Sequence, residues 1–238
     1  MTKKTGKLII IRHGLTQYNA ETKMTGQKDI PLLPEGEDQA RASGQLLDNT
    51  HIDKVFASPL ERAYKTAELI LDNMCDKATE HLKNDDDSWN IREDYDLMEQ
   101  DTGDFTGRNY KEDTELVDFN RHFENAFPGG ESTRDVLERL TEFYERDVKQ
   151  HLEDGKTVMI ACHANVVRAF KVLFEDMTPA DLDKKKQTVK NAAPWVLEFD
   201  PETMEKLKSY MFEDQKPAEP KISNDNKMPK PKHRGFGR

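Results

Sequence analysis

Short apolar runs bounded by turn residues alternate along this chain with stretches whose apolar side chains recur at i, i+3 and i+4. The first pattern predicts buried strands and the second predicts helices that lay one face on them. Lys7 to Ile11 reads as the first strand. Pro34 suits the first turn of a helix, where its missing N–H costs nothing, and Ala40, Ala42, Leu46 and Leu47 carry that helix on. Lys54 to Ala57 reads as a second short strand. Ser58, Pro59 and Glu61 form a capping-box pattern that predicts a helix through Ala63, Ala67, Leu69 and Ile70, with Arg62 in its first turn. After the polar loop Asn84-Asp85-Asp86-Asp87, the segment Trp89 to Met98 is expected to hold a third strand, with Glu99 at its end. Ser132-Thr133-Arg134-Asp135 opens a long amphipathic helix through Val136, Leu140, Phe143, Val148 and Leu152. Thr157 to Ala161, Val166 to Phe174 and Ala193 to Phe199 then read as strand, helix and strand.

Alternation of this kind over 238 residues predicts an α/β domain, a three-layer α/β/α sandwich around a largely parallel central sheet with ligands at the carboxyl ends of its strands. The domain is expected over residues 1–212. Within it, positions 100–127 are rich in Asp, Glu, Asn and Arg around a weak helical patch at Leu116, Val117 and Phe119, and they read as a lid or insertion over the sheet. Residues 213–238 place Pro217, Pro220, Pro229 and Pro231 among polar residues and are expected to form a disordered basic tail.

The formal charge of −10 argues against a nucleic-acid partner for the domain. The end of the chain runs the other way, with Lys227, Lys230, Lys232, Arg234 and Arg238 and no acid among them. A solubilising end is the plainer reading of that tail; a tether to nucleic acid or an anionic membrane is the alternative. Cys75 and Cys162 fit neither a disulfide framework nor a C-x-x-C metal pair, which suggests a reducing cytosol. No apolar stretch approaches the ~20 residues of a membrane span, and the run after Met1-Thr2-Lys3-Lys4 is too short for a signal peptide. A cytoplasmic protein without a membrane partner is therefore expected. An apolar helix face serves a core or a homodimer alike, so the pattern leaves the oligomeric state open.

Two of the strands end in chemistry. Arg12-His13-Gly14 closes the run Leu8-Ile9-Ile10-Ile11, bringing a cation and an imidazole to the lip of the sheet, and Cys162-His163-Ala164-Asn165 closes the run from Thr157. A lone histidine after a strand is more often a satisfied loop or core residue, so the weight lies in the ordered set. Between the two histidines come Asn19, Thr25-Gly26, Ser58-Pro59-Leu60-Glu61-Arg62-Ala63 and Leu97-Met98-Glu99. From about Lys7 to Phe199 this order resembles the histidine phosphatase superfamily, which holds the cofactor-dependent phosphoglycerate mutases and many phosphomonoesterases. The resemblance implies a phosphoglycerate mutase-like fold and an enzyme acting on a small phosphorylated metabolite.

The residue types suit that chemistry. Planar guanidinium forks on Arg12 and Arg62 match phosphate oxygens in bidentate pairs. His13 is the candidate nucleophile, attacking through an unprotonated ring nitrogen while the other nitrogen donates to a nearby backbone carbonyl or similar acceptor. The resemblance implies that His163 flanks the phosphate from the far side and stabilises its transferring oxygens. It also implies that Glu99, kept partly buried, gives the leaving oxygen its proton and later acts as base, with Asp101 as the fallback acid. Asn19, Thr25 and Gly26 match secondary phosphate or substrate contacts of the family, although Asn and Thr are equally ordinary turn residues. Asn165 either contacts the site or caps the helix at Val166. His51, His81, His122, His151 and His233 read as surface residues. A zinc site could be drawn from His13, His163 and Glu99, but two arginines beside them would repel the cation, so no metal is expected.

Phosphatases and mutases of this superfamily share the phosphohistidine, and they differ in what meets it next. A mutase needs a closing lid and a basic grip on its acid substrate. Set beside the mutases, segment 100–127 is short, and only Arg121 in Asn120-Arg121-His122 resembles their pair of adjacent arginines. This favours a phosphomonoesterase without cofactor, with a phosphoglycerate mutase using 2,3-bisphosphoglycerate as the alternative. His163 to Arg168 and Asn191 to Asp200 have a mutase-like look that weighs the other way. A regulatory module that kept the fold without turnover is the third reading, disfavoured because every expected catalytic residue type is present.

Overall fold

The computed structural model describes residues 4–119, 123–178, 181 and 189–212. Arg121, His122 and the basic tail, with His233, lie outside the described residues. In chain order the elements are β1 (Gly6–Arg12), α1 (Gln17–Ala20), α2 (Pro34–Leu47), β2 (Lys54–Ala57), α3 (Glu61–Leu71), α4 (Asp76–Thr79), β3 (Ile91–Glu93) and α5 (Thr114–Asp118). They continue with α6 (Thr133–Phe143), a π-helical turn (Tyr144–Val148), α7 (Lys149–Glu153), β4 (Thr157–Cys162), α8 (Ala164–Phe174), β5 (Trp195–Phe199) and β6 (Lys206–Met211).

The six strands form one sheet in the order β3-β2-β4-β1-β5-β6. β3, β2, β4 and β1 run parallel, and β5 and β6 close the far side antiparallel. Successive strand side chains point to opposite faces, so an unbroken apolar run is what a sheet covered on both sides requires. Leu8, Ile10, Phe56, Val158 and Ile160 pack under α6 and α8 on one face. Ile9, Ile11, Val55, Met159 and Ala161 pack under α2 and α3 on the other. This is the three-layer sandwich expected from the alternation. Among the described residues no helix is long and apolar enough to cross a membrane.

Several elements begin where their side chains direct. Pro34 is the first residue of α2, and Ser132 caps α6 in a capping box with Asp135. Others differ from the sequence reading. The helix of Arg62 starts at Glu61 instead of after Ser58, because the Ser58 N–H is still bonded to Ala161 O at 3.0 Å and extends the ladder beside β4. The Ser58 hydroxyl accepts the Leu60 N–H at 3.3 Å and shapes that turn. The strand expected over Trp89 to Met98 shrinks to Ile91–Glu93, since the Asp94 carboxylate accepts the Asp96 N–H and turns the chain into a 3-10 turn at Tyr95–Leu97. Glu99 therefore sits on a loop beyond a strand end. α8 begins at Ala164, two residues ahead of Val166. β6 was not expected at all, because an edge strand with Lys206 and Lys208 has no apolar run to betray it.

Candidate active site

The parallel pairing of β1 with β4 places Arg12 opposite Cys162, and the His13 N–H donates to Cys162 O at 2.9 Å. One step further along both strands, His13 and His163 must be neighbours. Their ring centroids lie 5.2 Å apart at the carboxyl end of the sheet. Both imidazoles are buried. Gly14 lets the chain leave β1 here, since a Cβ at this position would run into the Gly36 backbone. The Gly14 N–H is held by the Thr66 hydroxyl at 3.0 Å, which in turn donates to Arg62 O at 2.6 Å. Thr66 thus ties the His13 turn to the helix of Arg62.

His13 Nδ1 lies 2.7 Å from Gly14 O. A carbonyl only accepts, so Nδ1 carries the proton and the neutral ring keeps its lone pair on Nε2, as a nucleophile requires. Burial, and then the charges of Arg12 and Arg62, hold the His13 pKa well below the ordinary histidine range. Burial, followed by Arg62 and His13, does the same for His163.

The arginines are fixed by backbone carbonyls. Arg62 is fully buried, and its two terminal nitrogens donate to Lys28 O at 2.8 Å and Gly26 O at 2.9 Å. Its pKa is lowered to about 10, chiefly by burial, against the opposing charge of Glu99. Arg12 donates to Val189 O at 2.6 Å, and burial lowers its pKa also. Among the described residues, the buried side-chain nitrogens left without a hydrogen-bond partner are Arg12 Nε, Arg62 Nε, both ring nitrogens of His163 and, at the other end of the sheet, His151 Nδ1. Buried polar atoms are normally paired, so a convergence of such atoms marks a place built for a ligand rich in acceptors. A phosphoryl group, with its several anionic oxygens, fits that donor set.

Glu99 is 8% exposed, and its Oε1 accepts the Gln100 N–H at 2.9 Å and the Asn165 N–H at 3.2 Å. Its carboxylate acts on Arg12, Arg62 and Arg168 at once, so it borders the same pocket. Asp101 is engaged elsewhere, accepting the Gly103 N–H at 2.9 Å. Asn165 does not cap α8, whose N-cap is His163; its amide N–H holds Glu99 and its side-chain oxygen accepts from Arg168 at 2.5 Å. Asn19 completes the capping box of α1 with Thr16, and its oxygen also lies 3.4 Å from Asn191 Nδ2. Gly26, at φ +50°, is a left-handed residue whose carbonyl serves Arg62. Thr25 accepts the Lys28 N–H through its carbonyl, in the same turn.

Sequence reasoning gave no role to Asn191, whose side chain donates to His13 O at 2.9 Å while the Ala192 N–H donates to Arg12 O at 2.9 Å. It also gave none to Arg168, which burial desolvates beside Glu99 and Tyr110. Asn191 is recruited from a distant segment and Arg168 lies on α8 one turn beyond Asn165; the mutase-like look of their two segments assigned neither of them a role. Segment 100–127 is stitched to the loop after α1: Gly107 N–H to Met24 O at 2.7 Å, Met24 N–H to Arg108 O at 2.9 Å, and Tyr110 N–H to Thr22 O at 3.0 Å. Phe105, Leu116 and Phe127 give it a small core of its own.

The histidines make a stability prediction. Their folded-state pKa values lie well below 6.5, so below about pH 6.5 the unfolded chain takes up protons that the folded chain refuses. Stability contributed this way is present above that pH and falls as pH drops towards the folded values, by up to about 1.4 kcal/mol per pH unit for each histidine. Chemical denaturation at pH 7.5 and 5.5 should show a smaller loss in His163→Gln than in the wild type; equal losses would contradict it.

Comparison with known proteins gives a consistent picture. The family described as the histidine phosphatase superfamily (branch 1) matches residues 8–210. A 2,3-bisphosphoglycerate-dependent phosphoglycerate mutase of Cytophaga hutchinsonii is 32% identical over 181 residues, covering 74% of this chain and 80% of that protein. Among solved structures, Bacillus stearothermophilus YhfR superposes with a TM-score of 0.68 at 25% identity, covering 84% of this chain and 95% of the other. A mycobacterial glucosyl-3-phosphoglycerate phosphatase superposes with a TM-score of 0.63 at 25% identity, covering 81% and 92%.

Proposed function

Because the chain belongs to the histidine phosphatase superfamily, whose members are phosphatases or mutases, we propose that it transfers a phosphoryl group through His13 and works as a phosphoglycerate mutase dependent on 2,3-bisphosphoglycerate. The observation that carries the phosphoryl-transfer reading is the set of unpartnered buried nitrogens on Arg12, Arg62 and His163, the two arginines near enough to act on the neutral His13 ring and the imidazole 5.2 Å from it. The mutase reading draws on the name of the Cytophaga relative and on segment 100–127, packed against the loop after α1 and read here as a lid. Such a lid helps keep water from the phosphoenzyme. Hydrolysis, favoured above by the shortness of segment 100–127, has less support; the mycobacterial phosphatase keeps it as the second reading.

In this mechanism Arg12 and Arg62 grip the phosphoryl oxygens, and desolvation strengthens their charge there. His13 Nε2 attacks phosphorus as the P–O bond to the substrate breaks, and the departing oxygen takes a proton from Glu99. Entry of the dianion favours a protonated His163, which then faces the transferring oxygens. When 2,3-bisphosphoglycerate is bound, it supplies the phosphoryl group that first charges His13. The Arg12, Arg62 and His163 donor set would hold its transferring phosphate. In the return step Glu99 takes the proton of the accepting hydroxyl. No step uses a metal.

The test is a chelated assay of 3-phosphoglycerate with catalytic 2,3-bisphosphoglycerate, following 2-phosphoglycerate and free phosphate together. Isomerisation without matching phosphate release is the expected result. Phosphate release with no 2-phosphoglycerate would replace it with the phosphatase reading, and restoration of lost activity by added metal would sink the metal-free mechanism.

A further inference from the structure

We propose that Arg139, braced by Glu131, is a positioning residue that fixes Glu99 for proton transfer. The inference rests on the reading of Glu99 as the proton-transfer group.

Glu99 needs such a device because it lies beyond β3 on a loop with no ladder to hold it. Its carboxylate is placed from one side by the Gln100 and Asn165 N–H groups. Its backbone is placed from the other side by a guanidinium reaching over from α6. Arg139 Nη1 donates to Asp96 O, and Nη2 lies 3.4 Å from Glu99 O. Gln27 Nε2 adds a second donor to Glu99 O at 3.2 Å. One planar fork therefore spans both ends of the 96–99 turn.

The fork is itself held. Arg139 Nε and Nη2 pair with the Glu131 carboxylate at 3.1 and 3.2 Å. The same carboxylate accepts the Asp101 N–H at 2.8 Å, and Glu131 O accepts from Gln100 Nε2 at 2.9 Å. Glu131 stands just before α6, in register because Ser132 caps that helix through Asp135. With side chains only 16% and 24% exposed, Arg139 and Glu131 form a partly desolvated pair, which keeps its geometry better than a solvated one. Lysine cannot replace it: an ammonium has no fixed fork to meet two carbonyls and a carboxylate together.

The experiment compares how fast two donors phosphorylate His13 in rapid-quench measurements on the full chain. 4-Nitrophenyl phosphate releases a phenolate that needs no proton, whereas 2,3-bisphosphoglycerate releases an alkoxide that does. Arg139→Met should slow transfer from 2,3-bisphosphoglycerate by ~10- to 100-fold, the usual effect of a misplaced catalytic group, and leave the aryl ester nearly unchanged. Arg139→Lys should recover only part of the loss. Should Arg139→Met not fold, Glu131→Gln carries the same comparison, since it loosens the fork but keeps the acceptor for Asp101. A purely structural strut would slow both donors alike, and that result would overturn the inference. Glu99→Gln, measured alongside, keeps the two ideas apart. A split between donors in Glu99→Gln but not in Arg139→Met or Glu131→Gln removes the role of Arg139 alone; no split in Glu99→Gln removes the reading of Glu99, and the inference with it.

Discussion

With alanine at position 13, turnover is expected to fall by ~10⁴-fold or more and the phosphoenzyme to disappear, because the other buried histidine, His163, is the ring that the entering dianion protonates, and no backbone acceptor among the described residues fixes one of its nitrogens as a free lone pair towards phosphorus. The neutral ring is specified by the bond from Nδ1 to Gly14 O, which leaves Nε2 as the free lone pair. Depression of its pKa by burial and by the two arginines keeps that lone pair available through the neutral range. Folding should survive the change. His13 is buried without charge, and truncation removes one hydrogen bond worth about 1 kcal/mol together with some packing. The measurement is acid-labile incorporation of labelled phosphate, with circular dichroism as the control for fold. A His13→Ala protein that still formed the phosphoenzyme would move the nucleophile elsewhere.

Replacing Arg62 with methionine should lower kcat/KM by ~10³-fold, in the range found when one preorganised charge is taken from a transition state. Methionine keeps an unbranched stem in a site with no exposed surface, so the loss should come from charge and not from collapse. The change in melting temperature should be small, because two effects oppose. The carbonyls of Gly26 and Lys28 lose their donors, while a cation that burial disfavours is removed. The sign follows from the lowered pKa: the folded protein bears a cost for the charged form at every pH below about 10, and the cost fades above it. Inorganic phosphate should bind Arg62→Met at least ~10-fold more weakly than the wild type at pH 7.5, because the variant lacks a buried cation facing the anion. Equal affinities in the two proteins would show that Arg62 does not hold the anion.

How much of this could be seen in the chain differs from residue to residue. That Arg12, His13 and His163 stand at one edge of the sheet was legible because each ends an apolar run, and buried strands present their last residues to the ligand edge; the roles expected of them came from the ordered motifs. Arg62 was legible for a related reason: it follows a short strand in the first turn of a helix, although the helix starts later than the capping-box pattern implied. Glu99 was placed in the site by motif order, while its expected position at a strand end proved to be a loop. Asn165 was left between capping and contact, and its backbone N–H turned out to hold Glu99. The residues that steady the site, Thr66, Asn191, Arg139 and Glu131, have no pattern of their own.

The alternation of strands and helices, the two-sided burial of the sheet and the residues at its strand ends are written locally into the chain. These follow from side-chain periodicity and capping, which act over a few residues. Packing between distant segments is what brings β6 into the sheet, sets His13 and His163 5.2 Å apart, and holds Arg12 by a carbonyl at Val189. Those outcomes depend on strand register and on hydrogen bonds between segments far apart in the chain. Any exposed polar side chain could in principle supply such a bond, so only the completed packing selects which one does.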